Sequence, residues 1–206
     1  MSLILSEIPE SGGKKKDYGR LEDGNHLARI VSVIDWGLQP MTDYETKKPS
    51  EPKHRFSITY ETPDEFITYK DKDGNEVTKP RWISKEDTLV KGEKANLTKL
   101  IKALKPDLTS LDEFLNVPCM INIGSTKANA DGTGNNAKVV SVSKPMKGTE
   151  VGELVNDAFY FDSSHPNMEL FNGLLAWQQK KVKEALDYNG FADAGTPTTD
   201  AGNDEF

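Results

Sequence analysis

Aromatic and basic residues alternate along the part of this chain between residues 36 and 85. The members of this set are Trp36, Tyr44, Lys47, Lys48, Lys53, Arg55, Tyr69, Arg81, Trp82 and Lys85, and Lys127 follows further along the chain. Aromatic rings stack on unpaired bases at about 1 to 3 kcal/mol per base, and cationic side chains neutralise the phosphates between them. The pattern therefore predicts a surface that binds single-stranded nucleic acid.

Packing offers a second explanation for some of these rings. Phe56 and Tyr60 alternate with polar residues, so they are predicted to lie in a core rather than on a binding surface. Trp36 and Trp82 fit either a binding surface or the end of a barrel. Tyr44 lies in a polar loop that is rich in lysine and proline, and it is the ring that packing explains least.

Residues that would indicate an enzyme or a metal centre are scarce in the sequence. Cys119 is the single cysteine and falls in an apolar segment, where a buried and unreactive thiol is expected. The three histidines have no zinc-ligand spacing with it. No nucleophile elbow or phosphate-binding loop is present, and the carboxylates fall in turns or helix starts. The sequence thus predicts no enzymatic activity, no metal and no cofactor.

The acidic charge is concentrated near the end of the sequence. Residues 1–148 hold 23 Lys plus Arg against 22 Asp plus Glu, whereas residues 149–206 hold 3 against 11. The composition of residues 190–206 predicts a disordered acidic tail, which can compete with DNA for a cationic groove and contact a basic, apolar pocket on a partner protein. The tail residues predicted to reach the partner are Asp200, Asp204, Glu205 and Phe206.

Five strands and a helix are predicted to position these residues. Segments rich in β-branched residues, or with period-two alternation, predict strands at 27–34, 56–60, 79–90, 119–123 and 137–142. Between the third and fourth strands, residues 97–104 carry an apolar helical stripe that Pro106 ends. Asp73 and Gly74 predict a hairpin before the third strand. The phase of that strand stays open, because Trp82 and Ile83 are adjacent and only one can face inward.

A second helix is predicted over residues 166–188. Ser163 or Ser164 offers a cap, and Pro166 fits the first turn. The apolar stripe of this helix is predicted to consist of Met168, Phe171, Leu175, Val182 and Leu186.

The order of these elements is that of the OB-fold, a mainly β, five-stranded Greek-key barrel that commonly binds oligonucleotides. We expect an irregular arm over residues 1–20 and the barrel over 21–148. A linker and amphipathic helix over 149–189 and the tail over 190–206 are expected to follow. The short apolar run at residues 3–5 is too brief for a signal peptide or a spanning helix, so we expect a cytoplasmic protein that does not enter a membrane.

The stretch from residue 26 to residue 148, roughly three fifths of the chain, also resembles the single-stranded DNA-binding proteins of tailed phages. The resemblance is carried by Leu27-Ala-Arg-Ile-Val-Ser-Val-Ile-Asp-Trp-Gly, Ile83-Ser-Lys, Glu93-Lys-Ala-Asn-Leu, Pro118-Cys-Met-Ile-Asn-Ile and Ser143-Lys-Pro-Met-Lys-Gly. The ending Asn203-Asp-Glu-Phe is similar in kind to the tails through which such proteins contact polymerase, helicase or primase. It lacks the proline before phenylalanine and the dense aspartate run of the bacterial tails.

The residues and the resemblance together predict a protein of phage DNA replication or recombination that coats single-stranded DNA without reading its sequence. Two other classes stay open at this point. An OB-fold adaptor would hold a protein within a replication or recombination complex. A hydrolase built from scattered carboxylates would require a divalent metal for turnover.

Overall fold

A computed structural model describes residues 21–70, 74–125 and 137–190 of the chain, and within them the fold is mainly β. The predicted arm, Lys127 and the tail after Gly190 lie outside the described residues. The strands are β1 (Gly24–Thr42), β2 (Pro49–Lys70), β3 (Glu76–Thr88), β4 (Pro118–Ser125), β5 (Ala137–Ser143) and β6 (Phe159–Phe161). The helices are α1 (Asn96–Leu104), α2 (Met168–Gly173) and α3 (Ala176–Lys183), with a 3-10 turn at Leu111–Phe114.

These strands form one six-stranded sheet with β1 at its centre. Five strands follow the order β3-β2-β1-β4-β5 with antiparallel neighbours, and β6 pairs in parallel with β1 through Ser32–Ile34. The five predicted strands, the antiparallel pairing of β2 with β3 and the helix before β4 are confirmed, and Asp73 of the predicted hairpin turn lies outside the described residues. The strands extend further than predicted, and β2 begins at Pro49, before the predicted start at residue 56.

One face of the sheet carries a first core. Phe56, Ile58 and Tyr60 are buried there, as the period-two alternation predicted. Helix α1 packs against them through Leu97 and Leu104 and ends before Pro106. Helix and strands therefore bury the apolar stripes that the sequence placed on them.

The opposite face carries a second core, which residues 149–190, the C-terminal segment, cover. Val33 belongs to the first core and its neighbour Ile34 to the second, because successive strand residues point to opposite faces. The buried members of the second core are Ile34, Trp36, Phe161, Phe171, Leu174 and Val182. The C-terminal segment thus adds a strand and two helices to the same sheet.

The single helix predicted over 166–188 is wrong. Helix α2 ends at Gly173 and α3 begins at Ala176, with an extended backbone at Leu174 (φ −65°, ψ 150°). The cap is Asn167, whose side-chain oxygen accepts from the backbone amides of Glu169 and Leu170, rather than a serine. Phe171 and Val182 are buried as predicted, but Leu174 is buried in place of Leu175.

Polar contacts attach the C-terminal segment to β1. The Arg29 guanidinium donates to the backbone carbonyls of Gly152 (2.7 Å) and Val151 (3.1 Å). At the other end, the amide of Leu38 donates to the Asp187 carboxylate at 2.9 Å. Gly37, which directly precedes Leu38, has φ +71°, and a Cβ at this position would lie 2.7 Å from an Asp187 carboxylate oxygen. The close approach of Asp187 to β1 therefore requires glycine at this position.

Candidate nucleic-acid interface

The β2–β3 hairpin brings three of the predicted site residues, Tyr69, Arg81 and Trp82, to one groove of about 810 Å³, the hairpin groove. Its lining is mainly apolar and includes the cationic side chains of Lys79 and Arg81. An apolar groove with two aromatic rings and two cations has the composition that stacked bases and their phosphates require. The lining residues are Leu21, Ile67, Tyr69, Lys79, Pro80, Arg81, Trp82, Ile83, Ala137, Asn156 and Leu175.

The strand phase that the sequence left open is settled by burial. Ile83 packs against the first core, and Trp82, on the other face of β3, is 57% exposed. A register shift in β2 between Thr62 and Phe66 interrupts the regular pairing with β3. Bulges bend a strand and increase its twist, so this one changes the direction of the hairpin beside Trp82.

Sequence reasoning missed Phe66, which is half exposed and pairs with Pro80 of the groove across the hairpin. Its adjacency to Ile67 could have indicated that one member of this apolar pair is exposed. The missed groove residues Asn156 and Leu175 carry no such signal, because the chain folds back from a distant segment to place them there.

A second exposed aromatic lies in the β1–β2 connection, residues 43–48, which we call the Tyr44 loop. Tyr44 is 85% exposed, and the Lys47 ammonium lies 4.2 Å from the centre of its ring. The Asp43 carboxylate accepts from the backbone amides of Glu45 (3.1 Å) and Thr46 (2.7 Å). Hydrogen bonds from Thr46 lower the pKa of Asp43. The loop is thus held by local hydrogen bonds with its ring pointing into solvent.

The Tyr44 loop shows a further local constraint at Lys47, whose φ is +57°. Residues with a side chain adopt this left-handed conformation infrequently. Lys48 and Lys53 are exposed near the same end of β2. The backbone geometry places the Lys47 cation over the ring, which gives a local combination of one aromatic and several positive charges.

The predicted residues do not form one continuous trough. The Tyr44 loop precedes the first residue of β2 and Tyr69 lies at its far end, and a strand of 22 residues spans about 70 Å when fully extended. The structure therefore separates the aromatic residues into two regions at opposite ends of β2.

Trp36 belongs to neither region, because it is 1% exposed and lies in the second core. Its ring lies 6.0 Å from that of Trp177, and the Lys181 ammonium is 5.3 Å from its ring centre. A ring without an exposed face cannot receive a base. We therefore leave Trp36 out of the interface and assign it to packing, the alternative that the sequence left open.

Arg55 and Lys85 lie toward the end of the β2–β3 pair at which Arg55 pairs with Thr88, the last residue of β3. Arg55 forms an ion pair with Glu86 (3.0 Å) and donates to the backbone carbonyl of Asp87 (3.1 Å). Lys85 lines a small cleft of about 30 Å³ beside α1 together with Asp87. Arg55 thus has an acidic partner within the sheet, and both cations lie outside the hairpin groove.

Within the described ranges, no three His, Cys, Asp or Glu side chains come together as metal ligands. Burial raises the pKa of Cys119 to about 12, so its thiol stays protonated. None of the helices in this part of the chain has both the length and the apolar character needed to cross a bilayer.

Comparison of the chain with protein-family models, with curated proteins and with solved structures gives no match.

Proposed function

We propose that this protein binds single-stranded DNA without sequence preference and that the hairpin groove receives the unpaired bases. The observation that carries the proposal is the joint placement of Tyr69, Trp82, Lys79 and Arg81 around one apolar groove. Every base has a stacking face, so aromatic rings in such a groove bind unpaired bases of any sequence. A duplex keeps its bases stacked on each other and offers no free faces of this kind.

The strand topology supports an OB-fold as the framework of this function. Strand β1 pairs with both β2 and β4, and α1 lies between β3 and β4, as in that barrel. OB-folds bind oligonucleotides on strands 2 and 3 and on the loops that follow strands 1 and 4. The hairpin groove and the Tyr44 loop correspond to two of these places.

The Tyr44 loop is proposed as an auxiliary contact for the same strand of DNA. The loop lysines Lys47 and Lys48, with Lys53 near the start of β2, neutralise phosphates, and Tyr44 offers a ring face to one base. A strand long enough to reach both ends of β2 would then bind more tightly than one that fills the groove alone.

The role in phage DNA replication or recombination belongs to the same proposal and rests on the resemblance to the tailed-phage proteins. So does the proposed recruitment of a replication protein by Asp200, Asp204, Glu205 and Phe206, which lie outside the described residues. The role in replication or recombination and the recruitment of a partner are separate from DNA binding by the groove, which can be tested without them.

The test is a fluorescence anisotropy titration of the full chain with an oligothymidylate and with a duplex of equal length, repeated over a range of salt concentrations. We expect a clear preference for the single strand and a linear decrease of log K with log salt. Equal binding of the two forms, or binding of neither, would contradict the proposal.

Lys79→Ala should shift the salt dependence, because single strands contribute about 0.7 to the slope for each phosphate contact. We expect the slope to become smaller by about that amount. Lys180→Ala is the matched control, since Lys180 lies on α3, pairs with Glu184 at 3.6 Å and is not a groove residue. An unchanged slope for Lys79→Ala, or the same change in both variants, would remove Lys79 from the interface.

A further inference from the structure

The hairpin groove has a wall that comes from the C-terminal segment. Asn156 and Leu175 line it together with Trp82, although they follow Trp82 by 74 and 93 residues in the chain. The sequence alone predicts residues 149–189 to be a linker and a helix outside the barrel. The structure instead brings two of them to the aromatic part of the proposed interface.

The position of Asn156 is fixed by a buried carboxylate. Glu61 is fully buried and pairs with Trp82 across the β2–β3 ladder. Its two oxygens accept from the backbone amide of Val155 (2.7 Å) and from the side-chain amide of Asn156 (2.5 Å). Hydrogen bonds to a charged group are stronger than neutral ones. Glu61 thus attaches the C-terminal segment to β2 beside Trp82.

The position of Leu175 follows from the break between α2 and α3. Leu174 and Leu175 both have polyproline-II backbones (φ −65°, ψ 150° and φ −61°, ψ 147°), in which successive side chains point about 120° apart. Leu174 enters the second core, so Leu175 is directed to the groove side and is 55% exposed. The Leu175 amide donates to the Gln178 side-chain oxygen at 2.9 Å, and Gln179 donates to the Leu174 carbonyl at 2.9 Å.

We propose that the C-terminal segment is part of the single-stranded DNA-binding surface and that Leu175 contacts a bound nucleotide in the groove that Trp82 lines. The inference rests on the proposed function. A leucine offers apolar area to a base face or a sugar and carries no sequence information. The segment between the two helices thus contributes Leu174 to the second core and Leu175 to the groove.

The test compares two cysteine variants of the full chain, Leu175→Cys and Leu186→Cys. The two leucines are equally exposed, at 55% and 58%, and both belong to the C-terminal segment, but Leu175 lines the groove and Leu186 does not. Cys119 is fully buried and its pKa is raised, so it contributes little background to a thiol-reagent assay. The reaction rate is measured with and without oligothymidylate at a concentration that saturates the anisotropy signal.

We expect the oligonucleotide to slow the reaction at position 175 about tenfold and to leave position 186 within about twofold, since bound nucleotide excludes the reagent from the groove. Leu175→Ala should also weaken binding about fivefold, because part of the apolar contact with the bound nucleotide is lost. Leu186→Ala should leave the affinity unchanged.

Unchanged rates at both positions, or equal slowing at both, would overturn the inference. If this happens while the oligonucleotide still binds and Trp82→Ala still weakens binding, the groove function stands and the C-terminal wall does not. Failure of the unmodified chain to bind the oligonucleotide would instead contradict the proposed function, and this inference with it.

Discussion

Trp36 and Trp82 lie on the same side of the sheet, yet the C-terminal segment buries Trp36 and leaves Trp82 exposed. Trp82 and Glu86 share one face of β3, and Glu86 forms an ion pair with Lys181 of α3, whose ammonium lies over Trp36. Helix α3 therefore covers Trp36 completely, whereas Trp82 lies at the margin of the covered area and stays half exposed. The segment therefore has two roles, since it closes a core over one tryptophan and borders a groove at the other.

The largest expected effect is on stability, at Trp36. Trp36→Ala should lower the free energy of unfolding by about 3 to 5 kcal/mol, because it leaves a cavity in the second core. Chemical denaturation measures this loss. Trp177→Ala removes an indole that is 56% exposed and should cost clearly less. A loss below about 1 kcal/mol for Trp36→Ala would mean that the segment does not pack on β1 in solution.

The converse expectation concerns Trp82, where the effect should be on binding. Trp82→Ala should weaken oligothymidylate binding by about tenfold, within the range for one stacked base, with little change in stability. Trp177→Ala is the matched control, since the two indoles are 57% and 56% exposed and Trp177 contacts Trp36 rather than the groove. Anisotropy titrations of the folded variants measure their affinities for oligothymidylate. Equal losses for Trp82→Ala and Trp177→Ala would contradict a specific role of Trp82 in binding.

Tyr44 allows the comparison to be extended to the far end of β2. Tyr44→Ala should weaken binding of a long oligothymidylate by about threefold, less than Trp82→Ala, because Lys47 already occupies one face of this ring. The effects of Tyr44→Ala and Trp82→Ala should add in the double variant, since distant sites act independently. A larger loss at Tyr44 than at Trp82 would reverse the assignment of principal and auxiliary contact.

The smallest expected effects are on how stability depends on pH near the two ends of β2. The effect of His26 near one end and that of Asp43 near the other have opposite signs. His26 lies 2.5 Å from the Glu65 carboxylate, within the register shift of β2, and 2.9 Å from the Glu22 carbonyl, so both ring nitrogens face acceptors. Burial opposes the charged ring, but these hydrogen bonds and the nearby carboxylates outweigh it and raise the pKa of His26. The stabilisation of the fold by protonated His26 is fully present below the unfolded pKa, about 6.5. It is lost as the pH rises through the higher pKa that His26 has in the folded protein.

Asp43 behaves in the opposite way, because hydrogen bonds from Thr46 lower its pKa and so favour the charged form in the folded loop. The stabilisation of the folded loop by the Asp43 carboxylate is present above the unfolded pKa, about 3.9. It is lost as the pH falls through the lower pKa that Asp43 has in the folded protein. NMR titration of residues near each end measures both changes. His26→Gln should abolish the pH-dependent change near His26 and leave the one near Asp43, and Asp43→Asn should do the reverse. Loss of the change near the residue that was not substituted would contradict the assignment of each change to its own residue.

Local patterns predicted the parts of the fold that depend on local sequence. Period two in residues 55–60 and the helical stripe of residues 97–104 each specify an element and its buried face. The three residues of β6 are too few for such a signal, and the break at Leu174 depends on packing against the second core. The sequence did not indicate that one long stretch would form two helices.

The candidate site was partly predictable for the same reason. Residue type selected Tyr69, Arg81 and Trp82, which the hairpin brings together in one groove. Trp36 has the same side chain as Trp82, and the difference between them comes from the C-terminal segment, which covers one and borders the other. Contacts between distant segments decide burial, and a single sequence does not specify them.

The most direct test of the central claim is photocrosslinking of the full chain to an oligonucleotide that contains 5-iodouracil, followed by mass spectrometry of the crosslinked peptides. We expect crosslinks at Trp82 or Tyr69, which line the hairpin groove, at a higher yield than at Tyr44. Crosslinks confined to Tyr44, or to residues away from the β2–β3 hairpin, would contradict it.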